Sequence, residues 1–345
     1  MKQYFGMSQT GNLKEAAQGV HAPGLLILMS NADQFEAHVT ELESLFPGVP
    51  SIGCIGMSYS TRIVEKGVGL VAFYDNVLKQ ASTMPVKYIE RMEQDLKNVH
   101  ASSKDTVCID LCTGNDACVL TTIHSILGKA GIPLVGGTGD GGKVSVNGTV
   151  YEDADVYAFV KNNGGKVAVY KENLYKPMPG YRFIASNTDR SRYYVGELNG
   201  RSSKQAYMDA LHISESNIIN QTFHNPLGKM NGQDICIISL KEVSGNGLCC
   251  YRQVNDSDVL VLLEEQDYNE ILDETLQRIR RDFNHISGVF SINCVFRYLL
   301  FSQEHHMEDY LKTMSTLGDH AGLIGFGEHY NQQFVNQTMT CVVFE

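Results

Sequence analysis

What most restricts the fold of this chain is a unit that occurs three times. The apolar run "GLLILMS" (24–30) suits a buried strand, and in residues 32–46 Phe35, Val39, Leu42 and Phe46 recur at helical spacing. Asn31 is placed to cap that helix. Pro47 and Gly48 end it, "VPSIGCIGMS" leads into a second strand, and "GVGLVAFY" (67–74) makes a third. The unit is strand, helix, strand, strand. It returns as "DTVCIDLC" (105–112), the helix 116–131, "IPLVGGTG" (132–139) and the strand 155–162, with Pro50 on Pro133 and Gly53 on Gly136 at one common spacing. A third copy takes 287–301 as its strand, 305–318 as its helix, "AGLIGFGEHY" (321–330) and the closing strand 337–344. The expected class is α/β, with two lobes built from repeated β-α-β-β units and mixed sheets.

Residues 163–286 break the repeat with shorter strands, an amphipathic helix over 202–212 and a longer one over 267–283. The longer helix sets Ile271, Leu276, Ile279 and Phe283 on one side. A chain of 345 residues exceeds the usual single core. The stretch "YKPMPGYR" (175–182), with two prolines and a glycine, places a boundary near residue 180, giving domains 1–180 and 181–345.

The segment "IPLVGGTGDGGKVSVNG" (132–148) satisfies both G-x-G-x-x-G and G-x-x-x-x-G-K. Such loops hold phosphate by opening directly into a helix. Here Lys143 is followed by Val144 and an alternating β-branched stretch turning at Asn147-Gly148, which reads as a hairpin. The hydroxyl that would hold magnesium is also missing. The glycines therefore belong to a corner of the repeat, echoed by "IGCIG" and "LIGFGE", that brings backbone close to something in a crevice.

With 39 acidic side chains against 28 basic ones and a formal charge of −11, the chain has no electrostatic attraction for nucleic acid, which leaves small molecules or proteins as partners. The N-terminal twenty residues lack a signal-peptide core and Leu25–Met29 is too short to span a bilayer, so a cytoplasmic protein is expected. Nine cysteines scattered through apolar runs read as reduced thiols, without a C-x-x-C pair for structural zinc.

The ordered set "FPGVPSIGCIG" (46–56), "IPLVGGTGD" (132–140), "NPLG" (225–228), "NCVFR" (293–297) and "GFGEHYNQQFVNQT" (325–338) resembles the FIST proteins over essentially the whole chain. That resemblance implies a FIST N-terminal and a FIST C-terminal domain. It also implies a sensory role in signal transduction: binding a small ligand such as an amino acid ahead of a downstream output domain or protein, as in chemotaxis receptors. Either a stand-alone sensor or the input part of a longer protein fits. Some members are haem-binding nitric oxide sensors, which makes haem an alternative cofactor to none. His124, His320 and His329 are the candidate axial ligands, whereas Val335 stands where members often carry histidine before N-x-T.

Candidate ligand-binding residues follow from the same motifs. Arg297, read as part of the strand, is costly in an apolar run unless it meets a carboxylate, either Glu328 or one on the ligand. Glu328 is that partner or the acceptor for a ligand ammonium. Phe326 offers an apolar wall, Asn336 and Thr338 orient polar groups, and Cys294 packs beside them. In the first lobe Thr138 and Asp140 end a strand where crevices form, and Asp110 interrupts an apolar strand. No enzyme is expected. Ser58 lacks a nucleophile elbow, the His305/Asp309 pair lacks a third ligand, and a hydrolase would have to rest on Cys294 or His305. No metal site is expected.

Overall fold

The computed structural model describes residues 2–74, 80–84, 89–232 and 234–345. All three copies of the repeat form, each as a parallel strand pair joined by a helical connection with an antiparallel strand beside the first. Leu25–Ser30 runs parallel to Ser51–Ile55 through the helix Phe35–Leu45, with Val68–Tyr74 antiparallel. In the second copy Thr106–Cys112 runs parallel to Leu134–Thr138 through the helix Asp116–Ala130, and Asp155–Lys161 closes it. In the third, Gly288–Cys294 and His320–Gly325 are parallel and Thr338–Phe344 is antiparallel. The right spacing of apolar residues explains the helix of the second copy: Val119, Leu120, Ile123, Ile126 and Leu127 are its buried stripe.

The copies are tied together by an exchange of strands. The segment after each second strand pairs with the second strand of another copy. Asp140–Val146 joins Ser51–Ile55 of the first, Glu328–Tyr330 joins Leu134–Thr138 of the second, and Ser58–Tyr59 joins His320–Gly325 of the third. First gives to third, third to second and second to first, so the exchange closes on itself. One apolar core draws on all three copies, with Ile27 and Val71, Ile109 and Val156, and Ile292 and Val342 among its members. Each fully buried side chain of this kind contributes roughly 1.5–3 kcal/mol, so the shared core holds the ring together.

Each junction places a glycine of the second strand between two side chains. Gly53 lies between Leu28 and Ser145, Gly136 between Asp110 and His329, and Gly322 between Ser291 and Tyr59. A Cβ on Gly136 would overlap the Asp110 carboxylate, and one on Gly322 would overlap the Tyr59 ring. Close approach is what these glycines permit. The Asn147-Gly148 turn forms as expected, joining Asp140–Val146 to Thr149–Glu152 with both residues at positive φ.

Two compact units result: residues 1–172, 272–334 and 338–345 form the first, and residues 173–271 and 335–337 the second. The second is built on the long strand Tyr175–Asp189 between Val259–Glu265 and Tyr194–Leu198, over a core that includes Phe183, Val195, Tyr207, Leu248 and Leu260. Pro177 and Pro179, which suggested a boundary near residue 180, sit inside that strand, where its pairing slips at a bulge that tolerates proline. The chain crosses between the units before them.

Two local expectations change. The run 287–301 is not one strand, because after Cys294 the chain turns into the helix Val295–Gln303, on which Arg297, Leu300 and Phe301 are buried at helical spacing. A continuous apolar run does not distinguish strand from helix. Asn31 does not cap the first helix, which starts four residues later at Phe35. Among the described residues no helix is long and apolar enough to cross a membrane.

Candidate functional site

Strand alternation decides which groups meet. In Thr106–Cys112 the odd-numbered Val107, Ile109 and Leu111 enter the shared core, which leaves Asp110 and Cys112 on the face that packs against the helix Asp116–Ala130. Thr138, at the end of the neighbouring parallel strand, lies in register with Cys112. These are the carboxyl ends of parallel strands facing a helix N-terminus, where open α/β sheets place their ligands. The strand donated by the third copy then lays His329 over Gly136.

The result is a buried acid–base cluster. His329 Nδ1 is 2.6 Å from Asp110 Oδ2 and Nε2 is 3.0 Å from Asp116 Oδ1. The Thr138 hydroxyl donates to Asp116, and Cys112 Sγ lies 3.2 Å from Thr138 Oγ1 and 3.8 Å from Asp116 Oδ1. His329 and Asp110 are fully buried, the ring of Phe334 meets His329 edge-on, and only the Asp116 side chain, 14% exposed, and Thr138, 9%, approach solvent. Asp116 and Thr138 therefore form the mouth.

Charge is fixed by these contacts. Burial opposes a proton on His329, but Asp110, with help from Cys112 and Asp116, holds the imidazole protonated well above its ordinary range. Burial raises Asp116 as well, yet its bonds to His329 and Thr138 win and keep it low. Asp155, fully buried beside Asp110, is pushed well above the carboxylate range by desolvation and by that neighbouring charge, and stays neutral. Glu328 rises to about 8, mainly through burial, despite the Thr338 and Cys294 groups that favour its anion. The imidazolium of His329 thus faces an ionised Asp116.

The same junction in the other copies carries nothing comparable. Leu28 faces Ser145 in the first. In the third, Ser291 Oγ is 2.8 Å from both Tyr59 OH and His320 Nε2, and Asn293 donates to Tyr59 OH at 2.8 Å. The exchange geometry accepts a leucine facing a serine or a hydroxyl network, so the fold does not require charge at Asp110 and His329. The cluster's order of Cys112, His329 and Asp110 differs from a nucleophile triad in two respects: the imidazole Nε2 is hydrogen-bonded to Asp116, and the thiol is fully buried.

Of the ligand-binding residues expected from sequence, the structure brings Thr138, Glu328, Thr338, Cys294 and Phe326 to this region. Thr138 belongs to the cluster. Glu328 Oε2 accepts from the Thr338 hydroxyl at 3.0 Å and its amide at 3.4 Å, with Cys294 also bonded to Glu328. Phe326 is 44% exposed; its amide donates to Thr138 O while Thr138 N donates to Gly327 O, so it flanks the mouth without walling a pocket. Asp140 is exposed at the start of its strand. Asn336 lies in the second unit, as does Gln337, whose side chain bonds Tyr175, Thr222 and Ser239.

Arg297 corrects the main expectation. It pairs with Glu172, not Glu328, with both side chains buried and the guanidinium 4.8 Å from the Phe301 ring centre and 4.9 Å from that of Tyr310. Sequence reasoning singled out Asp110 and His329 separately but missed Cys112, Asp116 and Asp155.

Three histidines were candidates for haem. His124 is exposed on its helix, beside a groove of about 400 Å³. His320 is bonded to Ser291, packs 5.6 Å from Tyr59 and is pushed by burial down to about 3, and His329 has carboxylates on both nitrogens. An exposed ring, a hydroxyl-bonded one and a doubly ion-paired one do not fit an axial ligand in an apolar pocket.

A mixed α/β protein with a buried polar cluster at the carboxyl ends of its parallel strands is the class that fold and site define. Family models agree: the FIST N domain matches residues 24–201 and the FIST C domain residues 204–331. The chain belongs to the FIST family, whose domains are recognised as sensory. No curated protein matches the chain.

Proposed function

We propose that this chain is a sensory module for signal transduction that binds a small polar ligand at the mouth formed by Asp116 and Thr138. The observation that carries the reading is the charged junction of the second copy, present where two structurally equivalent junctions manage without charge. Ionised Asp116 selects a positive group on the ligand, as in an amine or the ammonium of an amino acid. A ligand carboxylate gains nothing from Arg297, which Glu172 already neutralises. Signalling to an output domain or partner, as in chemotaxis, follows if the ligand binds two states of the protein unequally. Nine cysteines with no disulfide among the described residues suit a reducing compartment and support work in the cytoplasm. Covalent chemistry plays no part in this reading.

A thermal-shift screen over amines, amino acids and simple carboxylates tests it, since a ligand of the folded state alone raises its stability. Amino-bearing compounds should raise Tm in the wild type and not in Asp116→Asn, while carboxylates without an amino group do nothing. A shift that survives Asp116→Asn and disappears in Arg297→Lys refutes the assignment.

A further inference from the structure

The second-copy cluster has the donors and the supporting shell of a transition-metal site. Cys112 Sγ, Asp116 Oδ1 and His329 Nε2 all lie within 4.8 Å of one another, one ligand atom from each residue. They come from three separate elements: the end of Thr106–Cys112, the first turn of Asp116–Ala130 and the exchanged strand Glu328–Tyr330. The 3.0 Å between Nε2 and Asp116 Oδ1 and the 3.8 Å between Sγ and the same oxygen are close to the edges of a tetrahedron with bonds of about 2.0 to 2.3 Å.

The supporting shell is the second, independent observation. Metal-bound histidine characteristically gives its other ring N–H to a carboxylate, which fixes the tautomer and strengthens the donor. Asp110 does this to Nδ1 at 2.6 Å while fully buried. Gly136 leaves the space that the Asp110 carboxylate occupies. Neither other junction has such a pair.

We infer that Cys112, Asp116 and His329 bind one divalent transition-metal ion of the zinc class, with a fourth position open toward Thr138 and the mouth. A mixed sulfur, nitrogen and oxygen set suits zinc or cobalt and not calcium or magnesium. Binding requires a neutral imidazole nitrogen and a thiolate, so the ion displaces the protons those two groups carry. The open position leaves room for water or for a donor group of a small molecule. The inference rests on the same mouth being the ligand site and deepens that reading: with the ion bound, a small molecule enters through a neutral amine or another donor atom at the open position, not as an ammonium on Asp116.

Cobalt(II) added to the chain of 345 residues after chelator treatment tests it. One ion per chain should bind with a thiolate-to-cobalt charge-transfer band and the visible absorption of a four-coordinate ion. Cys112→Ser should abolish the charge-transfer band. Cys118→Ser, an exposed thiol one turn into the same helix, should keep it. Asp110→Asn should weaken binding 10- to 100-fold while preserving the band, because that residue positions His329 without touching the ion. Far-ultraviolet circular dichroism confirms that each variant is folded, and if Cys112→Ser does not fold, Asp116→Asn with at least tenfold weaker zinc binding carries the test. A band that persists in Cys112→Ser, or a wild type that binds no cobalt, overturns the metal site. In the second case a retained Asp116-dependent response to amines leaves the sensory reading standing, and its loss removes both.

Discussion

Arg297 is a structural cation in this account, and that can be measured. Arg297→Met would leave Glu172 with a buried charge and no guanidinium, in a place where its side chain has no exposure. Removing one partner of a buried ion pair costs about 3–5 kcal/mol. The rings of Phe301 and Tyr310, both within 5 Å of the guanidinium carbon, add about 1 kcal/mol or more of cation–π attraction that methionine does not replace. The expected loss is therefore about 4–6 kcal/mol, a large share of the stability of an ordinary domain. Glu172→Gln should cost about 3 kcal/mol, and the double variant should recover at least about 2 kcal/mol against the sum of the singles. Arg297→Lys should fall between, since an ammonium keeps the charge but neither the planar fork nor the stacking. Urea unfolding at neutral pH supplies all four values, with an unchanged m confirming that midpoints report stability. Additive singles, or an Arg297→Met loss under about 1 kcal/mol, would refute the reasoning and return Arg297 to the list of ligand contacts.

Three further outcomes follow from the packing. Gly136→Ala should destabilise by about 3 kcal/mol or more, because its Cβ meets the Asp110 carboxylate, whereas Gly142→Ala, which faces open space at positive φ, should cost only about 1 kcal/mol; thermal unfolding compares the two. His320 is neutral in the folded chain, held near 3 against 6.5 when unfolded, so its contribution is complete above pH 6.5 and is lost as the pH falls toward 3. At about 1.4 kcal/mol per pH unit, the wild type should lose about 2 kcal/mol from this group by pH 5, and His320→Gln should show a correspondingly shallower acid limb in denaturant titrations. Tyr59→Phe should cost about 1–3 kcal/mol by stripping a partner from buried Ser291 and Asn293, and urea unfolding would expose a smaller effect as a flaw in that network.

The repeat was readable because its physics is local. Continuous apolar strands, a helix with Val119, Ile123 and Leu127 on one side, and the Asn147-Gly148 turn all declare themselves within a few residues. The exchange of strands was not, since nothing near Glu328–Tyr330 says that it pairs with residues almost two hundred positions earlier. That one long-range contact turns Asp110, an oddity in an apolar strand, and His329, one of several histidines, into a bonded pair. Cys112 looked like any small buried residue and Asp116 like the usual acid at a helix start. The register that sets Asp110 where the first copy has Leu28 was hidden as well, because the spacing that matches Gly53 to Gly136 puts Leu111 there, one residue away. Arg297 misled because "VFRYLLF" fits a strand or a helix equally well, and its partner Glu172 lies in a stretch that no motif marked.

The proposed metal site places the working groups of this protein where the third copy's strand crosses the second. Anomalous diffraction from zinc-soaked crystals of the wild-type chain addresses it most directly. A single strong zinc peak within bonding distance, about 2.0–2.3 Å, of Cys112 Sγ, His329 Nε2 and Asp116 Oδ1 is the predicted result. Zinc located elsewhere, or none at that cluster while His329 remains bonded to both aspartates, would contradict it.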